Sequence, residues 1–247
     1  MNLTKIIDQF KETGFVAINR GELSNENLID LASAFGSIYQ SKINYKFQDG
    51  SSIVKISEVD MFGKGEIAWH KDMMHTLPYF PGTLLYCEIE DRTHTEFCST
   101  ILKDSEFTFP DLVSHACFSG RTGLSDKENK LMERMRSNPK LRDKLSLNFS
   151  EHLLDQAPIE SKFLIENPLT KEICMNYSRA TMVNISEDEI NAIENFILET
   201  GNHWKHSWQK YDVILFDNYR MMHKRGALVE NSKRLLKRIN FNFNKIL

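Results

Sequence analysis

A chain of 247 residues, 41% hydrophobic and 26% charged, has enough apolar material for one well-filled globular core. Its formal net charge of −3 leaves no basic footprint for nucleic acid, and no apolar run approaches the ~20 residues of a membrane span. Met1 to Asn19 carry charges throughout and lack a signal-peptide apolar core. A single domain over residues 1–247 is therefore expected, cytoplasmic, with a small molecule rather than nucleic acid or membrane as partner. Cys87, Cys98, Cys117 and Cys174 form no C-x-x-C pair, which excludes a zinc ribbon and a dithiol redox motif. Reduced, buried thiols are the expectation for Cys87 and Cys98, which lie in apolar strand-like runs.

In chain order, Asn2 to Thr13 reads as an amphipathic helix with Leu3, Ile6, Ile7 and Phe10 at helical spacing, ended by Gly14. Phe15 to Ile18 is a short strand. Asn25 to Phe35 is a second helix, with Gly36 as its expected terminator. Ser51 to Ser57 and Glu66 to Asp72 read as strands, and Thr83 to Ile89 is strongly strand-like after the Pro81-Gly82 turn. From Asp104 to about Pro158 the character changes; Ser125 to Asp155 is charged and helical, which predicts a helical insertion over about 105–160. Glu172 to Asn176 is a strand. Ser186 to Thr200 is a helix whose Ser186 and Glu189 have capping-box spacing. Val213 to Asp217 and Leu235 to Phe243 are the closing strands. Short strands with a few helices suit a barrel or a double-sheet jelly roll.

Two segments carry chemistry: Trp69-His70-Lys71-Asp72, and Asp217-Asn218-Tyr219-Arg220-Met221-Met222-His223 far downstream. On a strand, a histidine and a carboxylate separated by one residue share a face. With a second histidine brought alongside by folding, His70, Asp72 and His223 have the composition of a facial metal triad, which leaves coordination positions free for reactants. Zinc accepts the same donors, so a zinc hydrolase using this triad is an alternative at this point.

The flanking residues narrow the choice. Gly14-Phe15-Val16-Ala17-Ile18 with the helix running to Phe35-Gly36, the Trp69–Asp72 ligand motif, Pro81-Gly82-Thr83-Leu84-Leu85-Tyr86, Thr95-Glu96-Phe97-Cys98-Ser99, Asn167-Pro168-Leu169-Thr170, and Trp208 through His223 occur in one order. In that order they resemble the taurine dioxygenase (TauD/TfdA-like) family of Fe(II)- and 2-oxoglutarate-dependent oxygenases, over most of the chain except about 105–160. The resemblance implies a mainly β fold with flanking helices, a double-stranded β-helix (jelly roll, clavaminate-synthase-like). It implies Fe(II) held by His70, Asp72 and His223, with 2-oxoglutarate and dioxygen as co-substrates. Arg234 and Arg238, eleven and fifteen residues after His223, have the spacing of the family's arginine pair. A guanidinium gives a rigid two-pronged match for a carboxylate. Arg238 is the expected partner of the co-substrate's far carboxylate, accompanied by the Thr95 hydroxyl, with Arg234 assisting near the metal-bound end.

The sequence departs from the family at Arg92-Thr93-His94, where glycines and an aspartate usually precede the threonine, at Tyr219 within the "DNRR" run, and at Lys224 after the second histidine. Family halogenases replace the carboxylate ligand by glycine or alanine, so Asp72 argues for hydroxylation or a related oxidation instead. Candidate substrate contacts are Asn44 to Phe47, Met73, Met74, Arg121 within Ser119 to Gly123, and Arg220. The expected substrate is a small polar metabolite such as an amino acid or a biosynthetic intermediate. A non-catalytic jelly-roll protein that binds a small acid is the competing reading. Related enzymes are often dimers or tetramers, which leaves a homo-oligomer open.

Overall fold

The structure, a computed structural model, describes residues 2–39, 52–57, 65–72, 74, 80–116 and 158–247. Two antiparallel sheets face each other. The larger has the order β1 (Phe15–Asn19), β12 (Asp212–Asp217), β4 (Gly82–Ile89), β14 (Leu235–Phe241) and β2 (Val54–Ile56). The smaller has the order β11 (His203–Ser207), β5 (His94–Ser99), β13 (Met221–Arg225) and β3 (Ile67–His70). Neighbours in both sheets are distant in sequence, so strands alternate between sheets as a double-stranded β-helix requires.

Strand alternation sorts the side chains into three layers. Leu84, Tyr86, Val213, Leu215, Ile239 and Phe241 leave the large sheet on its outer face. There they meet Ile6 and Phe10 of α1 (Leu3–Thr13) and Leu28 of α2 (Asn25–Ser33). Leu85, Cys87, Ile214, Phe216 and Leu236, of opposite parity, turn inward against Phe97, Met221 and Trp208. Outside the small sheet, Cys98 and Met222 pack with Ile190, Ile193 and Ile197 of α3 (Glu187–Thr200). The inner layer is where a strand can aim polar side chains at a shared point while its other face remains core.

Local chemistry explains the helix ends. Asn2 caps α1, and Gly14 closes it in the left-handed region at φ +70° with its N–H donating to Phe10. Ser186 and Glu189 form the expected capping box. Gly36 is a correction: α2 ends at Ser33 with Ala34 as cap. A Cβ on Gly36 would lie 2.1 Å from the Asn242 carbonyl oxygen, so this glycine serves a close backbone approach.

The predicted helical insertion is corrected at both margins. β6 (Leu112–His115) pairs with β7 (Ile159–Lys162) and with β10 (Met182–Val183) in a three-stranded sheet. β8 (Leu164–Glu166) and β9 (Ile173–Met175) form a further pair. Ser125 to Asp155 lies outside the described residues.

Candidate metal centre

β3 and β13 are antiparallel neighbours, and His70 stands directly opposite His223. Both point inward, because Trp69 and Met222 beside them belong to the outer cluster under α3. Their rings are 4.1 Å apart. Asp72 joins them by a different route from the one expected. β3 stops at His70, so Asp72 sits in the turn beyond it instead of on the strand face. That turn is fixed by Asn218, whose side-chain oxygen accepts from the Asp72 N–H at 2.8 Å. The Asn218 amide donates to the Asp72 and Phe80 carbonyls, each at 2.9 Å. Lys71, fully buried between the two donors, anchors the same turn by donating to the Met175 and Tyr219 carbonyls at 2.8 and 2.6 Å.

The candidate donor atoms of His70, Asp72 and His223 all lie within 4.8 Å of one another. Asp72 Oδ1 is 3.8 Å from His223 Nε2. Asp72 Oδ2 accepts from the Thr83 hydroxyl at 3.1 Å, and Thr83 accepts from the Asn240 amide at 2.9 Å. This relay runs across β4 and β14, so the large sheet orients a ligand supplied by the small one. His70 Nδ1 lies 2.8 Å from the Ala68 carbonyl, which sets the tautomer and turns the Nε2 lone pair outward.

Electrostatics prepare the same three groups. Burial pushes His223 down to about 3, with the neighbouring His70 ring acting in the same direction. Burial also lowers His70, more than Asp72 raises it. For Asp72, burial opposes ionisation, but Arg238, the two imidazoles and the Thr83 hydroxyl outweigh it, and its pKa is lowered. The result is two neutral imidazoles and one carboxylate, the protonation states a divalent metal requires. His223 makes no hydrogen bond among the described residues, and its Nδ1 is buried without a partner. A neutral, partnerless imidazole beside a carboxylate fits a metal ligand better than a core histidine.

The two arginines appear in the reverse of the expected order. Arg238 Nη1 donates to Asp72 Oδ1 at 3.2 Å, at the level of the triad. Arg234 Nη2 donates to Thr95 Oγ1 at 3.3 Å. The reason is reach: Arg238 lies within β14 and Arg234 just before its first residue, so four residues of extended chain separate them by about 13 Å. Thr95 faces Arg225, two residues beyond the His223–Phe97 pair, so it too lies down-strand of the triad. Trp208, for which the sequence offered only membership of a motif, donates from its indole Nε1 to Thr95 at 2.8 Å.

Arg220 is not at the centre. Its guanidinium donates to the Lys11 and Glu12 carbonyls, both at 2.9 Å, and lies 3.0 Å from Glu172. It ties the end of α1 to the turn after β12, which corrects its assignment as a substrate contact. Met74 is buried. Arg121, Met73 and Asn44 to Phe47 lie outside the described residues. Cys87 and Cys98 are buried free thiols, as expected, and Cys174 is another.

Residues 129–240 match the model of the family described as "Taurine catabolism dioxygenase TauD, TfdA family". The structure of AAD-2 in complex with Mn(II) and N-oxalylglycine is similar, at 15% identity and a TM-score of 0.67, covering 97% of this chain and 86% of that one. A taurine dioxygenase from Burkholderia xenovorans gives 14% and 0.64, covering 97% and 80%. PvcB, described as an Fe, alpha-ketoglutarate dependent oxygenase from an isonitrile synthetic pathway, gives 14% and 0.59, covering 98% and 80%. In sequence, 87 residues are 29% identical to 3-((Z)-2-isocyanoethenyl)-1H-indole synthase of Fischerella ambigua (strain UTEX 1903). The match takes in 34% of this chain and spans less than a third, 29%, of that curated relative. The similar structures share this chain's fold, with a double-stranded β-helix core, and the family model matches the part of the chain that contains His223, Arg234 and Arg238. Among the described residues no helix is long and apolar enough to cross a membrane.

Proposed function

We propose that this chain is an Fe(II)- and 2-oxoglutarate-dependent dioxygenase that oxidises a small polar metabolite, with acids derived from amino acids as the class to test first. The observation that carries this reading is the convergence of His70, Asp72 and His223 at one point between the sheets, with a hydroxyl–guanidinium pair down-strand of them. His70, Asp72 and His223 would hold the metal. When bound, iron(II) and 2-oxoglutarate supply the activation of dioxygen: the 2-oxo acid leaves as succinate and carbon dioxide, and one oxygen atom is available to the substrate.

The chain's own residues bind and orient. Thr95 and Arg234 receive the far carboxylate of the co-substrate, the role first assigned to Arg238. Arg238, at the level of Asp72, helps hold that carboxylate ionised and presents a cation at the reacting end. Thr83 and Asn218 hold the Asp72 carboxylate and its backbone from two sides. Phe97 and Phe216 pack against the His223 ring at 5.8 and 5.0 Å between centroids, forming an apolar wall that excludes water.

PvcB and the Fischerella ambigua synthase, one named for an isonitrile pathway and the other for an isonitrile product, support a small isonitrile as the first substrate to try. The test is oxygen uptake coupled to stoichiometric succinate release, with Fe(II) and 2-oxoglutarate, inhibited by N-oxalylglycine and abolished by Asp72→Gly. Undiminished turnover in that variant would refute the ligand assignment. Hydrolysis without oxygen and with zinc would replace the dioxygenase reading by a hydrolase.

A further inference from the structure

We propose that Trp208 is a positioning residue for the co-substrate: its indole N–H fixes the Thr95 hydroxyl as a hydrogen-bond donor aimed at the far carboxylate. The inference rests on the reading of Thr95 and Arg234 given above and extends it to a third side chain. A threonine hydroxyl has two acceptor sites and one proton. At Thr95 both acceptor sites are used, by Trp208 Nε1 at 2.8 Å and Arg234 Nη2 at 3.3 Å. Among the described residues the hydroxyl gives its proton to no acceptor. The remaining direction of the hydroxyl is thus a donor's direction, and beside a guanidinium a donor's direction suits an anion.

The same ring sets the cation. The Arg234 guanidinium carbon lies 5.7 Å from the centroid of the Trp208 ring, within cation–π range. Trp208 is itself held: it is 4% exposed, packed in the inner cluster, and in edge contact with His206 at 4.9 Å between centroids. His206 Nε2 is 2.9 Å from Asp212 Oδ2, and that oxygen also accepts from the Gln209 N–H at 2.8 Å. The loop between β11 and β12 therefore orients an indole, which orients a hydroxyl. Phenylalanine at this position would keep the ring over Arg234 but free the Thr95 hydroxyl to turn.

The test is anaerobic titration of the Fe(II)-loaded protein with 2-oxoglutarate, followed by the charge-transfer absorption of the iron–2-oxo acid chelate. A parallel titration uses 2-oxobutyrate, which chelates identically but has no far carboxylate. Trp208→Phe is expected to weaken 2-oxoglutarate binding about three- to tenfold, the size of one hydrogen bond. Affinity for 2-oxobutyrate and for Fe(II) alone should change less than about twofold. In a Thr95→Val background the substitution should have no further effect on 2-oxoglutarate. Unaltered 2-oxoglutarate binding in Trp208→Phe, equal weakening of both acids, or an undiminished effect beside Thr95→Val would each overturn the proposal.

A second measurement needs no variant at position 208. The chain has three tryptophans, and indole N–H resonances can be assigned by elimination with Trp69→Phe and Trp204→Phe. In the Zn(II)-loaded protein the Trp208 resonance should shift with 2-oxoglutarate and not with 2-oxobutyrate; the same response to both would count against the proposal. If the wild-type protein binds 2-oxoglutarate no better than 2-oxobutyrate, the co-substrate reading of Thr95 and Arg234 falls, and this inference with it.

Discussion

Thr83→Val separates the support of the metal ligand from the ligand itself. Valine matches threonine in volume, so packing in the buried centre of β4 is retained while the hydroxyl is removed. Two groups then lose their partner: Asp72 Oδ2, which accepts from Thr83 at 3.1 Å, and the Asn240 amide, which donates to it at 2.9 Å. A buried polar group left unpaired costs about 1–3 kcal/mol, so the variant should lose about 2–4 kcal/mol. At roughly 2–4 °C per kcal/mol for a domain of this size, Tm should fall by about 5–10 °C. The freed carboxylate would also rotate, and loss of such a supporting bond weakens metal binding by about tenfold or more. Urea unfolding of the metal-free protein and Fe(II) or Mn(II) titration by calorimetry measure the two effects independently. Thr83→Ser, which keeps the hydroxyl, should recover metal affinity. A Thr83→Val protein with wild-type stability and wild-type metal affinity would refute the relay.

Arg220→Met should destabilise the fold by about 1.5–3 kcal/mol, because charged hydrogen bonds to the end of α1 are lost, and leave the KM for any substrate unchanged. A rise in KM without loss of stability would restore Arg220 to the binding site. Gly36→Ala should cost more than about 2 kcal/mol in urea unfolding, since its Cβ would overlap the Asn242 backbone and overpacking has that scale; a neutral variant would show that this approach relaxes freely. Asp217 is raised by burial to about 6 from 3.8, against the pull of its hydrogen bonds from Asn167 and the Tyr219 N–H. Between these values the folded carboxyl keeps a proton that the unfolded one has released. Its contribution is therefore complete below pH ~3.8 and lost as pH rises through about 6, by up to about 3 kcal/mol. Comparing unfolding curves of wild type and Asp217→Asn from pH 4 to 7 should show a flatter profile in the variant, and parallel profiles would exclude the shift.

What the sequence revealed follows how local each feature is. Gly14, and Ser186 with Glu189, were legible because a helix end is decided within a few residues. The donors were legible because His70, Asp72 and His223 are distinctive types at a distinctive spacing. The bounds of β5 and β13 were not legible: His94, Glu96 and Lys224 interrupt their apolar pattern, and only the stacking of two sheets explains which face is inner. The placement of Arg238 beside Asp72 and of Arg234 beside Thr95 was invisible for a related reason. Counting residues places both on one face but does not say which end of β14 lies beside the triad. Gly36 was misread because its constraint comes from Asn242, far away in the chain.

β14 carries the Arg238 guanidinium, Arg234 stands immediately before its first residue, and the ladder with β4 is irregular between Leu235 and Leu236. The segment acts as a ruler whose two graduations are the guanidinium beside Thr95 and the guanidinium beside Asp72. Loops elsewhere can grow or shrink without disturbing it. One residue gained or lost between positions 234 and 238, however, would swing one cation out of the interior, so divergence within this lineage should alter the walls of the cavity and conserve the length of this segment.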